Sequence, residues 1–133
     1  AVPGENLEVL RTRFRVPIGP ILDEPQKQGS SWVFSWRPAY DPTQTFGSFS
    51  YRLQVADTPT FDADSVVVDV SSIPDSTGSV SHDLDSALLP SGVYFARLFA
   101  IPANEPTRFF QVSGNKLYVD NNTYYGAIQF SVD

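Results

Sequence analysis

The feature that most restricts the fold of this chain is the alternation of apolar and polar residues at every second position. In the segment FSYRLQVA, residues 49–56, apolar side chains occupy the odd positions, and Arg52 and Gln54 lie between them. Successive side chains of a β-strand point to opposite faces, so this pattern indicates a strand with one buried face. No stretch keeps a helical spacing over three turns, and Gly, Pro, Asn, Asp and Ser clusters separate the alternating segments. The pattern predicts an all-β sandwich or barrel.

The charge balance and the scarcity of some residue types exclude several classes of partner and site. The 133 residues suit one domain, and 9 basic against 15 acidic residues give a net charge of −6, which disfavours nucleic acid as a partner. No apolar run approaches the roughly 18 residues of a membrane-spanning helix, so we expect no membrane insertion. The chain has no Cys and one His, His82. Cysteine nucleophiles and multi-histidine metal sites are therefore excluded.

The remaining polar residues give little support to catalysis or metal binding. No nucleophile-elbow motif lies near His82, and no glycine-rich loop for phosphate is present. Asp57, Asp62, Asp64 and Asp69 suggest calcium, but their spacing differs from that of a helix–loop–helix calcium loop, and a solvated acidic loop is the preferred interpretation. We expect no enzyme activity, no catalytic residues, no metal and no cofactor.

A turn signal divides the segment between residues 104 and 123. Gly114 and Asn115 form a dipeptide of the kind that closes two-residue hairpins. Pairing about this turn would set Val112 opposite Leu117. The segment is therefore predicted to form a hairpin whose apolar face packs on the rest of the domain.

Several motifs, in order along the chain, resemble a fibronectin type III-like domain of bacterial proteins. They are PILDEP at 20–25, WVFSW at 32–36, YRLQVA at 51–56, DTPTF at 57–61, VVVD at 66–69, LPSGVYFARLFA at 89–100 and IQFSV at 128–132. The resemblance implies one domain, residues 1–133, folded as a two-sheet antiparallel sandwich with Tyr94 as the tyrosine-corner residue. The surplus length would form an extra N-terminal strand within residues 1–16 and a hairpin insertion, residues 104–123, before the last strand.

Side-chain parity then divides the residues between the core and the outer surface. The residues predicted to meet between the two sheets are Trp36, Tyr51, Leu53, Tyr94, Leu98 and Phe130. If Tyr94 points inward, Phe95, Arg97 and Phe99 point outward, near Arg52. Two interpretations of this patch are open. In the preferred one, the extra strand or the hairpin covers the rings; in the other, the four residues contact a neighbouring domain or another partner.

Aromatic residues in and beside the insertion are the second candidate site. Phe109, Tyr118, Tyr124 and Tyr125 lie near Asn and Gln side chains. Aromatic faces with neighbouring amides suit sugar rings, which stack on the faces and form hydrogen bonds at their edges. The preferred interpretation is that these rings anchor a long insertion, and binding of a saccharide is the alternative.

The resemblance implies a non-catalytic spacer, docking or binding module of a larger exported or cell-surface protein, linked to polysaccharide handling or adhesion. A chain that opens at Ala1 without Met fits a processed or excised piece of such a protein. The expected partners are neighbouring domains of the parent protein and polysaccharide, and the expected location is extracellular or at the cell surface. One alternative is a carbohydrate-binding module that uses the loop aromatics. The other is a strand-exchanging adhesin or assembly subunit that donates residues 7–16.

Overall fold

The computed structural model describes residues 19–40, 48–103 and 111–133, and their regular structure is almost entirely antiparallel strand. The strands are β1 (Ile21–Leu22), β2 (Gln26–Gln28), β3 (Ser31–Arg37), β4 (Phe49–Ala56), β5 (Val66–Pro74), β6 (Val80–Asp85), β7 (Gly92–Pro102), β8 (Gln111–Val112), β9 (Lys116–Val119), β10 (Asn122–Tyr125) and β11 (Ala127–Val132). A 3-10 turn, Ser86–Leu88, follows β6. The predicted all-β sandwich is confirmed. The strand expected within residues 1–16 lies outside the described residues.

The first sheet is built around β3. One edge of β3 pairs with β6 over most of its length, and the other edge pairs with β1 near Arg37 and with β2 near Ser31. Pro25 lies in the break between β1 and β2. Proline is tolerated there because an edge strand does not need all of its N–H groups for pairing.

The second sheet has the strand order β11-β7-β4-β5, with β8 added beside β7. One edge of β7 pairs with β4 from Phe95 to Pro102. The opposite edge pairs first with β11, as far as Arg97, and then with β8 at Phe99 and Ala100. Strands β11 and β8 therefore cover successive parts of the same edge of β7.

The space between the sheets is filled by the side chains that the alternation assigns to the core. All six predicted core residues are buried: Trp36, Tyr51, Leu53, Tyr94, Leu98 and Phe130. Rings from opposite sheets meet there, with Phe130 centred 5.8 Å from Trp32 and 5.5 Å from Phe34. Trp36 and Tyr51 are 5.5 Å apart in an edge-to-face arrangement that aromatic pairs favour. The predicted parity is thus confirmed on both sheets.

Tyr94 makes the hydrogen bond that defines a tyrosine corner. Its ring is buried, and its hydroxyl donates to the backbone carbonyl of Pro90, four residues earlier, at 2.5 Å. A buried tyrosine hydroxyl needs such a partner, because an unpaired polar group in the core is unfavourable. The bond fixes the chain where it enters β7.

The predicted hairpin about Gly114 and Asn115 is wrong. The structure instead pairs β9 with β10, with Tyr124 opposite Leu117, and the intervening turn is Asp120-Asn121. Both turn residues have positive φ, 53° and 64°, as a two-residue turn between twisted strands requires. Asp and Asn tolerate this backbone region better than most residues, because their short polar side chains form local hydrogen bonds. The hairpin therefore spans residues 116–125.

Gly114 and Asn115 instead attach the insertion to the first sheet. The Gly114 N–H donates to the Pro20 carbonyl at 2.7 Å, and a Cβ on Gly114 would lie only 2.6 Å from Cδ1 of Ile21. The Asn115 side chain accepts from the Leu22 N–H at 2.8 Å and donates to the Leu22 carbonyl at 2.9 Å. Gly114 therefore serves a close approach rather than a turn, and a side chain here would require Ile21 to move. The Asn115 amide pairs with the Leu22 backbone as a neighbouring strand would.

The residue before this pair attaches the same segment to the second sheet. The Ser113 N–H donates to the Leu98 carbonyl, and its hydroxyl donates to the Gly126 carbonyl, both at 2.9 Å. Gly126 has a φ of 84° and lies against Val112, where a side chain would not fit. Residues 113–115 therefore bridge the two sheets at one side of the sandwich, and this bridge positions the β9–β10 hairpin.

Candidate functional site

Phe95, on the outward row of β7, is covered by this chain. Its ring is 7% exposed and belongs to a small cluster on the outer face of the second sheet. The other members are Ala56, Phe61 and Ala127, with Val66, Leu117 and Tyr124 packed against them. Phe61 comes from the loop after β4, whereas Leu117 and Tyr124 come from the hairpin. Of the two interpretations open for Phe95, the one in which this chain covers the ring fits its burial.

A row of polar side chains crosses the same face beside this cluster. The Nε of Arg97 donates to Oε1 of Gln54 at 2.7 Å, and Nε2 of Gln54 donates to Oδ2 of Asp69 at 3.1 Å. Arg52 binds Asp69 with two nitrogens, at 2.9 and 2.6 Å. The row thus joins β7, β4 and β5 and holds Gln54, which is buried, in one orientation.

The single carboxylate of this row is committed to Arg52. Hydrogen bonding from Arg52 lowers the pKa of Asp69, and the same bond raises the pKa of Arg52. Burial lowers the pKa of Arg97, the charge of Arg52 lowers it further, and the charge of Asp69 acts in the opposite direction. A guanidinium nevertheless stays protonated in proteins. Arg97 is therefore a half-buried cation without a carboxylate bound directly to it among the described residues.

Two aromatic rings lie close to the guanidinium of Arg97. Its Cζ lies 4.3 Å from the ring centroid of Phe61 and 5.1 Å from that of Phe99. Such contacts are attractive, because a ring presents negative charge density on its face. With Nε bound to Gln54 and the rings close by, the orientation of the guanidinium is fixed from several sides.

The loop that carries Phe61 has an unusual backbone. Phe61 has a φ of 55°, which is uncommon for a bulky residue and unfavourable by about 1–3 kcal/mol. Backbone hydrogen bonds maintain it, from Phe61 N to the Thr58 carbonyl and from Ser65 N to the Asp62 carbonyl, and the Ser65 hydroxyl also bonds to Asp62. The loop conformation turns the Phe61 ring inward, where it is buried against Arg97.

A groove of about 470 Å³ lies between this loop and the hairpin. We call it the Arg97 groove, and it is lined by Pro59, Thr60, Phe61, Arg97, Thr123, Tyr124, Tyr125 and Ala127. The lining combines aromatic surface, threonine and one cation, and it contains no carboxylate. The groove can therefore accept a ligand with both an apolar face and hydrogen-bonding groups.

The structure brings two of the four predicted ligand-binding aromatics to this groove. Tyr124 is half-buried and Tyr125 is 70% exposed, and both line the groove. Lys116 lies beside Tyr125, with its Nζ 5.7 Å from the ring centroid. Tyr118 is 68% exposed on the outer face of the hairpin but does not line the groove. Phe109 lies outside the described residues.

The four predicted contact residues have different environments. Arg97 lines the groove and Phe95 is buried beneath it, whereas Phe99 is half-buried beside Arg97. Arg52 is exposed and paired with Asp69 at the other end of the polar row. Of these four residues, only Arg97 lines the groove together with Tyr124 and Tyr125. It is therefore the one contact residue that also lies in the predicted ligand-binding site.

Phe61 and Lys116 were not predicted to belong to a site. Residues 57–64 were expected to form a solvated acidic loop, although an aromatic residue in the middle of a polar segment is itself a signal of packing. The position of Lys116 beside Tyr125 depends on the β9–β10 pairing, which the expected turn at Gly114 and Asn115 did not predict. Both omissions concern contacts between segments far apart in the sequence.

Within residues 19–40, 48–103 and 111–133, no three His, Cys, Asp or Glu side chains are grouped so that they could hold a metal ion. In the same ranges, no helix has the length and apolar character needed to cross a membrane.

The sequence was also compared with models of protein families and with curated proteins. Neither comparison found a match.

Proposed function

We propose that this chain is a non-catalytic binding module of a larger exported or cell-surface protein and that it holds a saccharide in the Arg97 groove. The observation that carries the proposal is the convergence of Tyr125, Arg97 and the two threonines in one groove. Sugar rings stack their C–H faces on aromatic rings and form hydrogen bonds through their edges. The groove offers both kinds of contact.

The side chains that form the walls of the groove are fixed by packing and by hydrogen bonds before a ligand binds. The Tyr124 ring packs against the outer cluster that contains Phe95, and Phe61 is buried on the opposite wall. Residues 113–115 anchor the start of the hairpin to both sheets. A preformed site loses less conformational entropy on binding than a mobile one, which favours weakly held ligands such as sugars.

A fibronectin type III-like topology is part of the proposal. With β1 and β2 counted as one strand and the insertion set aside, seven strands form antiparallel sheets of three and four. Tyr94 supplies a tyrosine corner at the start of β7. Both features support the resemblance noted in the sequence, and with it the assignment to an exported multidomain protein.

Strand exchange and domain docking receive less support. Strand exchange was expected to involve residues 7–16, which lie outside the described residues. Docking through the outward row of β7 was expected to use Phe95, which is covered by Phe61 and Tyr124. The Arg97 groove, on the same face, stays open.

A titration of the full 133-residue chain with neutral and acidic oligosaccharides tests this function. Two-dimensional NMR should show shifts concentrated at the backbone amides of Thr60, Phe61, Thr123, Tyr124 and Tyr125. Tyr125→Ala should weaken binding about tenfold, a loss at the lower end of the roughly 1–3 kcal/mol that one stacked aromatic side chain contributes when the ligand ring is a nucleic-acid base. Calorimetry on both proteins measures the change.

Tyr118→Ala is the matched control, because Tyr118 has almost the same exposure on the same hairpin but lies outside the groove lining. It should leave the affinity within about twofold of the unsubstituted chain. An equal loss in both variants would mean that the ligand spreads over the exposed face of the hairpin, which carries both rings, and is not confined to the groove. If no saccharide of either class shifts any amide, the proposed function is wrong.

A further inference from the structure

We infer that the Arg97 groove selects saccharides that carry a carboxylate, such as uronic acids, and that Arg97 is the residue that pairs with this group. The inference rests on the proposed function and adds the chemical class of the ligand. It is carried by the free end of the Arg97 guanidinium, the charge balance around it and the composition of the groove lining.

The hydrogen bonds of Arg97 leave one direction open. Its Nε is bound to Gln54, and its terminal nitrogens donate to no residue in the described parts of the chain. Phe61 and Phe99 lie close to the guanidinium. A carboxylate in the groove would therefore meet the guanidinium end-on, where two parallel N–H groups match its two oxygens.

The local charge balance favours an anion at this position. The polar row contains two cations, Arg52 and Arg97, but one carboxylate, Asp69, which Arg52 and Gln54 already bind. No carboxylate lines the groove, and Lys116 adds another cation beside Tyr125. A chain of net charge −6 thus presents a groove of positive character.

The carboxylates of the loop after β4 do not take the place of a ligand carboxylate beside Arg97. Asp57, Asp62 and Asp64 belong to the loop after β4, are exposed, and do not line the groove. Asp62 accepts a hydrogen bond from the Thr60 hydroxyl at 2.9 Å, which keeps it within its own loop. Exposed charges such as these are screened by salt, whereas the half-buried Arg97 is screened less.

The surroundings of Arg97 strengthen an ion pair between its guanidinium and a ligand carboxylate. A cation held between aromatic rings is partly removed from water, and charge-assisted hydrogen bonds are stronger in that environment. Arg97 is also held in place by Gln54 before any ligand arrives, so little side-chain entropy is lost on binding. Tyr125, at the rim, offers the ring on which the sugar can stack.

The test compares uronate oligosaccharides with their methyl esters, which keep the sugar ring but lose the charge. The probes are oligomers of galacturonate, mannuronate, guluronate and glucuronate, and binding to the full chain is measured by calorimetry. For at least one of these acids, the acid should bind about tenfold more tightly than its ester. Arg97→Gln should reduce the affinity for the acid to that for the ester.

The control removes a distant cation, so that it changes the net charge by as much as Arg97→Gln does. Arg37→Gln deletes an exposed arginine at the end of β3, in the other sheet. It should keep the preference for the acid. Arg97→Lys should keep part of the preference, because lysine retains the charge but not the planar pair of donors.

A measurement on the unsubstituted chain keeps the test valid if Arg97→Gln does not fold. The side-chain ¹⁵N resonances of Arg97 should shift on addition of the acid and not on addition of the ester. Equal affinity for acid and ester, or an unchanged preference in a folded Arg97→Gln protein, would overturn the inference while leaving saccharide binding intact. Absence of binding to every acid, ester and neutral oligosaccharide would overturn both proposals.

Discussion

Individual side chains in this protein act mainly by joining segments that the backbone does not pair. Tyr51 is the clearest example: its hydroxyl accepts from the Ala39 N–H and donates to Oδ1 of Asp75, both at 2.9 Å. Ala39 follows a strand of the first sheet, whereas Asp75 follows a strand of the second. Burial raises the pKa of Tyr51, so the hydroxyl keeps the proton that it donates. One side chain thus ties the two sheets together.

Removal of this hydroxyl should destabilise the fold. In Tyr51→Phe the buried N–H of Ala39 loses its acceptor, and an unsatisfied buried donor lowers the free energy of unfolding by about 1–3 kcal/mol. Urea unfolding measures this change. Tyr118→Phe is the control, because its exposed hydroxyl makes one long bond, 3.3 Å, to Asn121. Losses of equal size in the two variants would show that Tyr51 does not tie the sheets.

The ion pair between Arg52 and Asp69 should make the free energy of unfolding depend on pH. The pKa of Asp69 is lowered in the folded state, chiefly by hydrogen bonds from Arg52, so the folded state favours the ionised carboxylate. The stabilisation is therefore present above the unfolded value, about 3.9, and is lost as the pH falls through the lower folded value. Because both side chains are exposed, we expect only about 0.2–1 kcal/mol.

Urea unfolding of the unsubstituted chain and of Asp69→Asn, at pH 7 and below pH 3, measures this effect. The unsubstituted chain should be the more stable at pH 7, and the difference should shrink in acid. The same Asp69→Asn change in an Arg52→Gln background is the control, and its pH-dependent difference should be smaller because Arg52 is the main cause of the lowered pKa of Asp69. A difference between the Asp69→Asn and unsubstituted proteins that stays constant with pH would contradict the assignment.

At the scale of elements, the connection between β7 and β11 decides the shape of the outer surface. Residues 113–115 bond to β1 on one side and to β7 on the other, and the β9–β10 hairpin begins directly after them. The hairpin and the loop after β4 then close over Phe95 and leave the Arg97 groove between them. The position of the groove is thus set by elements outside the two main sheets.

Asn115 should contribute measurably to this attachment. Asn115→Ala removes two hydrogen bonds to the backbone of Leu22, and we expect the free energy of unfolding to fall by about 1–3 kcal/mol. Hydrogen exchange at the Leu22 amide should become faster. Asn122→Ala is the matched control, since that exposed side chain makes one bond to the Asp120 carbonyl within the turn. Unchanged exchange at Leu22 in Asn115→Ala would contradict this role.

At the scale of the whole molecule, the alternation of apolar residues was sufficient to predict the core. Tyr51, Leu53, Tyr94 and Leu98 face inward as their parity requires, because a strand has two faces and one of them must be buried. Turn clusters and Pro25 marked several of the strand ends in the same way. These properties depend on neighbours within a few residues, which is why they can be inferred without a structure.

The register of the hairpin and the cover over the outer face could not be inferred in this way. Gly114 has the composition of a turn residue but serves a close approach to β1, and Phe95 has the parity of a surface residue but is buried. Asn115 and Leu22 are 93 residues apart in sequence, and Arg97 and Gln54 are 43 residues apart. The sequence by itself determined which faces are apolar, because alternation is a local property of the chain. Only the tertiary structure decided which segment covers each face and which side chains surround Arg97, because those outcomes depend on contacts between distant segments.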